Sequence, residues 1–417
     1  MIEDFKADPR EIAGLGRLVA EIGDDISRAA TFVGQEGRPA EWLRGPIIDD
    51  LLMPLHQAAE CTQQRMGSIG STTSTTGAEL NKAAWLYSDQ EKKNYDALNN
   101  HTFLGPVGPG RPNTTSADVE APGFTEAYSE AASYAKPEEF KLEKPQANKE
   151  DTVALIAEVA PVLGDMNETI KSITRTAGNE IDPLGKCLEP IPGNWNEVRR
   201  IGEAYKAAGN ALESSGKNLE AGLSRIDPKW DGKAALSFND WANRQIAAMK
   251  WEGPVGRVVS DVLGVVADEI RGAIKTVLQK LWGILESQID FTSVKGIFKT
   301  IGKKIPIVGQ VYEIVDLGRK LFTIVTEALK LVNHIRILVD KVNALLDFIK
   351  DPLNKLKDKA QQKLDDTIAP FNDALAKASK KVAVTADLAR IAQVNSTLDR
   401  PQAGYDVGSG TTPWDDA

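Results

Sequence analysis

The sequence is poor in histidine and cysteine, two residue types on which many active sites and metal sites depend. It has 3 histidines and 2 cysteines in 417 residues, and none stands at a spacing typical of metal ligands. It also has no glycine-rich phosphate loop and no Gly-x-Ser-x-Gly nucleophile motif. We therefore expect no enzyme activity, no cofactor and no metal ion.

Long apolar runs are absent too. The longest clearly apolar stretch, 305–312, contains Pro306 and is far shorter than the ~20 residues that cross a bilayer. The acidic start, Met1-Ile2-Glu3-Asp4, is not followed by the apolar core of a cleavable secretory signal. Cys61 and Cys187 allow one disulfide or none, and burial as small apolar side chains is the favoured interpretation. These features alone predict a cytoplasmic protein.

The charge that is present is uneven. Residues 1–150 carry 24 acidic and 15 basic side chains and so account for the whole net charge of −9. An acidic front half argues against a nucleic-acid partner. Aromatic residues make up 6% of the chain and hydrophobic residues 42%, most of them Ala, Leu, Val and Ile, a mixture that favours helix. We expect an all-α protein of elongated helical hairpins or bundles.

The first predicted unit, residues 1–103, is a helical hairpin. Asp8 suits the N-cap and Pro9 the first position of a helix that ends near Gly34. A long second helix is predicted from Ile48 to Leu98, although its middle, 68–77, is rich in serine and threonine. Heptad spacing supports helix through that run, and small residues there permit close helix approach. The heptad row is Ala59, Met66, Thr73, Leu80 and Tyr87.

Residues 104–150 form the second predicted region, a Pro-rich linker. The run Gly105-Pro106-Val107-Gly108-Pro109 is incompatible with helix or sheet, and further prolines follow it. We expect a semi-extended segment with one short helix around Phe124–Ala135.

A second helical unit is predicted over 151–252. Asn194 is a candidate cap with Glu197 as its capping-box partner, and the stretch from Trp251 to Pro254 predicts a helix break that ends the unit. An apolar helical region, 253–350, and a polar helix with a disordered tail, 351–417, complete the chain.

The most informative motif is Trp230-Asp231-Gly232, which follows Pro228 between two helix-patterned segments. Pro228 cannot continue a helix, and Gly232 can adopt backbone angles that other residues resist. A second W-x-G occurs at Trp251-Glu252-Gly253. Only the first of the two follows a clear heptad helix. Its position between two helices, rather than the three-residue pattern itself, therefore distinguishes it.

This turn resembles the WXG turn of small helical-hairpin proteins exported by actinobacterial type VII (ESX) secretion systems. Such substrates carry a second element, Tyr-x-x-x-Asp/Glu, at the end of a hairpin. Tyr87 and Glu91 match it, one turn apart on a single helix face. Tyr134/Glu138 and Tyr312/Asp316 also match, but neither pair stands at the end of a hairpin.

Residues 8–98 look like EspC-like substrates, and 151–252 look like the larger WXG-type domain. The resemblance implies two hairpins paired in a four-helix bundle, with Trp230 near Tyr87. It also implies a secreted effector or accessory protein that acts through protein contacts, with Tyr87, Glu91, Trp230 and Gly232 as its export signal. Expected partners are the secretion machinery or its chaperone, a second copy of the chain, or a WXG-type protein.

Two alternatives remain open at this point. Residues 255–349 could perturb membranes, because part of this region has basic side chains on one side of a predicted helix and apolar side chains on the opposite side. This is the pattern of an interfacial amphipathic helix. The candidate membrane contacts are Lys295, Phe298, Lys299, Ile301 and Lys303. The other alternative is a cytoplasmic coiled-coil scaffold.

Overall fold

The computed structural model describes most of the chain, and its residues are almost all helical. The described ranges are 6–40, 45, 47–102, 126–146, 151–176, 180–191, 194–288, 307–352 and 360–408, with only the backbone given at 94–102, 173, 176, 287–288 and 307–318. These ranges contain no strand, and their one β-bridge joins Ala7 to Trp230. The predicted all-α, elongated fold is confirmed. The candidate membrane contacts between Lys295 and Lys303 lie outside the described residues.

The first hairpin consists of α1 (Pro9–Glu36) and α2 (Asp49–Thr102). The Asp8 carboxylate accepts hydrogen bonds from the backbone N–H groups of Arg10 and Glu11, which confirms the predicted cap. The serine- and threonine-rich run is helical, as its heptad spacing predicted. Its hydroxyls donate to carbonyls one turn earlier, as from Thr73 Oγ1 to Ile69 O at 2.7 Å, so few polar atoms there need water.

Small residues let α1 and α2 approach closely along that run. A Cβ atom placed on Gly16 would lie 2.9 Å from the Gly77 carbonyl oxygen, and one placed on Gly70 would lie 3.0 Å from that of Gly23. Larger side chains at these positions would force the helices apart. The weak helix propensity of the run is therefore offset by the packing that its small side chains permit.

The second hairpin consists of α6 (Trp195–Ile226) and α7 (Lys233–Gln288), joined by a 3-10 turn, Asp227–Lys229. Three short helices precede it, α3 (Thr152–Val159), α4 (Leu163–Thr176) and α5 (Pro183–Leu188). Asn194 caps α6 as predicted. The Glu197 carboxylate, however, accepts two hydrogen bonds from Arg200 in place of the expected capping box.

The helix break predicted from Trp251 to Pro254 is wrong, because α7 continues through Pro254. A proline inside a helix costs about 3 kcal/mol, but this one lies where α7 and α6 are in close contact. A Cβ atom on Gly256 would lie 2.3 Å from the Tyr205 carbonyl oxygen, and Val255, Val258 and Val259 beside it are buried. Tertiary packing thus overrides the local signal. The predicted boundary between 252 and 253 falls inside one helix.

The two hairpins pack together, α1 against α6 and α2 across from α7. The next helix, α8 (Ile307–Lys350), packs on α7 and α2. The C-terminal part contains α9 (Ala360–Ile368), α10 (Asn372–Lys377), α11 (Lys381–Ile391) and α12 (Asn395–Leu398). Of these, α11 and α12 contact α7 most. The 56 residues of α7 extend about 84 Å at 1.5 Å per residue and connect both ends of the molecule.

Residues 126–146 are extended, so the short helix predicted around Phe124–Ala135 is wrong over its described part. This extended segment lies along α1: the Ala132 N–H donates to Arg10 O at 2.9 Å, and Lys144 pairs with Glu36 at 2.7 Å. Twelve extended residues and twenty-six helical ones both cover about 40 Å. The linker thus traverses nearly the whole of α1.

The C-terminal tail was predicted to be disordered, but its described part, 395–408, is ordered. It contains α12, and Tyr405 and Val407 are buried. In an extended segment, side chains two positions apart lie on the same face, so Tyr405 and Val407 are buried together. Cys61 and Cys187 are both free thiols; Cys187 is buried, in agreement with the favoured interpretation, whereas Cys61 is half-buried.

Candidate functional site

The Trp230 turn is held by the backbone at the start of the chain. Asp8 N donates to Lys229 O at 3.1 Å, and Asp231 N donates to Lys6 O at 2.9 Å. Lys6 N in turn donates to Asp231 Oδ1 at 2.8 Å. Gly232 has a φ of 92°, the left-handed region that glycine adopts without a steric penalty. The turn conformation therefore depends on the glycine of the motif.

Trp230 and Tyr87 are in contact, although they are 143 positions apart. The Trp230 Nε1–H donates to the Tyr87 hydroxyl at 3.2 Å, and the two rings meet edge to face with centroids 6.4 Å apart. Phe238 packs on the other side of Trp230 at 5.6 Å. The proximity expected between the two motifs is confirmed.

This aromatic cluster is closed to solvent, whereas Glu91 on the same helix as Tyr87 is open to it. Trp230 is 2% exposed and Tyr87 5%, whereas Glu91, one turn further along α2, is exposed. Burial raises the pKa of the Tyr87 hydroxyl, and the hydrogen bond from Trp230 only partly opposes this. The hydroxyl therefore stays protonated around neutral pH and is suited to structure rather than proton transfer.

The C-terminal tail covers the cluster, and the sequence did not predict this. The Tyr405 ring lies 6.4 Å from that of Trp230 and 5.6 Å from that of Phe238, centroid to centroid. Tyr405 N donates to Thr76 Oγ1 at 2.8 Å, and Trp241 Nε1 donates to Ala403 O at 3.1 Å. The one sequence feature that could have predicted this burial is the spacing of Tyr405 and Val407, two apolar residues two positions apart in a polar stretch.

A second contact between α2 and α7 lies deeper in the bundle and is ionic. Arg65 and Glu252 are both buried, and they form two hydrogen bonds, one of them from Nη2 to Oε2 at 2.9 Å. Arg65 Nη1 also donates to Ile349 O of α8 at 3.0 Å, and the guanidinium lies 5.2 Å from the centroid of the Trp251 ring. Burial is the largest single influence on the pKa of Arg65 and lowers it, but the charge of Glu252, its hydrogen bonds and smaller charge effects together raise the pKa above its ordinary value.

The two contacts share one antiparallel register. Tyr87 lies 22 positions after Arg65, and Glu252 lies 22 positions after Trp230, about 33 Å along a helix. Between them Gln245 Nε2 donates to Thr72 Oγ1 at 2.8 Å and to Ile69 O at 2.9 Å. These side-chain pairs thus fix the axial register of α2 against α7.

The extended segment fastens the hairpins to each other through backbone contacts. Asn218 of α6 donates to Glu138 O at 2.9 Å and accepts from Glu138 N at 2.8 Å. Asn81 of α2 accepts from Tyr128 N at 3.0 Å and donates to Glu126 O at 2.9 Å. Both asparagines bind backbone groups, which every residue type carries. The spacing of side chains in the sequence therefore could not predict these contacts.

The competing motifs lie in other settings. Trp251-Glu252-Gly253 is inside α7, and Tyr134 and Glu138 lie in the extended segment. The side chains of Tyr312 and Asp316 lie outside the described residues. Among the motif residues whose side chains are described, only Trp230 and Tyr87 join a turn to the outer part of a hairpin.

Within the described ranges no group of three or more His, Cys, Asp or Glu side chains is arranged to hold a metal ion. None of the helices searched in those ranges is both long and apolar enough to span a bilayer. No family model, curated protein or solved structure matches the chain.

Proposed function

We propose that this chain is a substrate of an actinobacterial type VII secretion system, with a composite export signal formed by Tyr87, Glu91, Trp230 and Gly232. The observation that carries the proposal is the hydrogen bond from Trp230 Nε1 to the Tyr87 hydroxyl. It joins the two sequence elements that resemble the two halves of a type VII signal, here within one polypeptide.

The members of this signal have different roles in the proposal. Tyr87 and Trp230 are buried, so a receptor cannot contact them without moving the tail. They hold the outer end of α2 against the turn between α6 and α7. Glu91 is exposed beside them and supplies a charge that a receptor can contact. Gly232 gives the turn the backbone angle that this arrangement needs.

After export, we propose an effector or accessory role through protein contacts rather than through catalysis. Its expected partners are the secretion machinery or its chaperone, with a second copy of the chain or a WXG-type protein as further candidates. Support comes from the composition, which is poor in histidine and cysteine, and from long helices that present extended surfaces.

The test is export from an actinobacterial host with an intact type VII system, measured as the secreted fraction of a tagged chain. Glu91→Gln removes an exposed charge and should leave folding intact, yet we expect the secreted fraction to fall at least about tenfold, which corresponds to a loss of about 1.4 kcal/mol of receptor affinity. Trp230→Phe, which keeps a ring but loses the N–H donor, should also reduce export.

Glu60→Gln is the matched control, because Glu60 is also an exposed carboxylate on α2. It should be exported like the unaltered chain, and cell-associated levels of all variants should be equal. Normal export of both Glu91→Gln and Trp230→Phe would reject the composite signal. Export that persists in a host without the secretion system would reject the class, and retention of the unaltered chain inside the cell would favour a cytoplasmic scaffold.

A further inference from the structure

The outer face of α8 carries a row of large apolar side chains that the bundle does not cover. Phe322 is 73% exposed, Leu329 48% and Ile337 55%. Steps of seven and eight residues keep side chains on one side of a helix. The row is about 22 Å long at 1.5 Å per residue.

This row is not needed to hold α8 in place. The opposite side of the helix is buried against α7 and α2, and its buried side chains include Leu321, Ile324, Ala328, Val332, Ile335 and Leu338. Two further contacts fasten α8, from Lys280 to Glu327 and from Asn343 Nδ2 to Asp50 O at 3.2 Å. The packing of α8 therefore does not depend on the apolar side chains of its outer face.

Basic side chains border the row. Arg319, Lys330 and Arg336 are all exposed, and at 100° per residue each lies within about 80° of the direction of Phe322. Asp340 is the exposed acidic side chain in the same sector. A sector with three basic groups and one acidic group stands out on a chain whose net charge is −9.

We propose that this face of α8 binds an anionic lipid surface and lies parallel to it. Phe322, Leu329 and Ile337 enter the boundary between headgroups and acyl chains, and the basic side chains reach the headgroup phosphates. A second copy of α8 is a poorer occupant, because two identical faces would bring like charges together. The contact is independent of the proposed export signal.

The experiment is co-sedimentation of the full chain with phosphatidylcholine vesicles, with and without phosphatidylserine. We expect binding that requires phosphatidylserine and weakens as salt is added. Replacing Phe322, Leu329 and Ile337 together by serine should lower the partition coefficient at least about tenfold, since each side chain loses apolar burial. Changing Arg319, Lys330 and Arg336 to glutamine should lower it about fivefold per charge at low salt.

Matched controls use exposed apolar residues elsewhere in the fold. Leu236 on α7 is 70% exposed and Val382 on α11 is 84% exposed, and their serine variants should bind vesicles like the unaltered chain. Lys377→Gln and Lys381→Gln control for loss of charge alone, because both lysines are exposed.

Three results would overturn the proposal. The first is absence of binding to phosphatidylserine vesicles. The second is binding that survives in the α8 variants, which places the lipid contact elsewhere in the chain. The third is a dimer in sedimentation velocity that dissociates in the triple serine variant without any vesicle binding, which would make the face a contact between copies.

Discussion

The two ends of the contact between α2 and α7 use opposite chemistry to fix one register. At the turn, Trp230 meets Tyr87 within a cluster of rings. About 33 Å further along, a buried Arg65 meets a buried Glu252. Aromatic packing gains free energy by leaving water, whereas a buried ion pair recovers little more than its desolvation cost.

The difference indicates a division of labour between the two contacts. The aromatic end stabilises the contact between the hairpins, because large apolar surfaces are buried there. The ionic contact contributes mainly specificity, because a shifted register would leave a charge unpaired in the core.

Trp230→Ala should give the largest loss of stability, about 4 kcal/mol, because it opens a cavity among Tyr87, Phe238 and Tyr405. Chemical denaturation followed by circular dichroism measures it. Leu236→Ala is the control, since Leu236 lies nearby but is 70% exposed, and it should change stability by less than about 0.5 kcal/mol. Equal effects of the two variants would refute the role of the cluster.

Glu252→Gln should destabilise the protein by about 3 kcal/mol, because it leaves the Arg65 charge buried without its counter-ion. Replacing both Arg65 and Glu252 by methionine should restore most of that loss, to within about 1 kcal/mol of the unaltered chain. A double-mutant cycle separates the interaction energy of the Arg65–Glu252 pair from the cost of each single substitution. A double variant as unstable as Glu252→Gln would mean that the ion pair itself supplies the stability.

Acid should weaken the attachment of α11 to the second hairpin. Burial alone would raise the pKa of Glu213, but hydrogen bonds and charge from Arg257, and then from Arg390, lower it below its ordinary 4.5. A depressed carboxylate pKa adds stability that is present above the unfolded value and is lost as the pH falls through the folded value. We therefore expect a loss of stability below about pH 4.5, reduced in Glu213→Gln.

Tyr87→Phe should cost about 1 kcal/mol, less than either Trp230→Ala or Glu252→Gln, because it removes one hydrogen bond and keeps the ring. The thermal midpoint of the variant, compared with that of Tyr205→Phe, measures it. The buried Tyr205 hydroxyl has no hydrogen-bond partner among the described residues, so its loss should cost less. A larger cost for Tyr205→Phe would contradict this ranking.

Several features were predictable from the sequence because they are local. The Asp8 and Asn194 caps follow from residue type and position. Heptad spacing correctly predicted helix through the serine- and threonine-rich part of α2. Proximity of Tyr87 and Trp230 followed from the resemblance and from their places at the ends of two hairpins.

Other features depended on partners far away in the chain. Pro254 remains helical because α6 is packed against its neighbourhood, and Tyr405 is ordered because Trp230 and Phe238 offer it a surface. Arg65 and Glu252 look like solvated charges on helical faces until the register pairs them. None of these outcomes is encoded within one turn of the residue concerned.

Caps, breakers and helical periodicity act over a few residues, so the all-helical fold, the two hairpins and the tryptophan turn could be predicted from the sequence. The register of α2 on α7, the path of the extended segment and the position of the tail could not. They depend on contacts between residues that lie from 45 to more than 300 positions apart, for which local propensity carries no information.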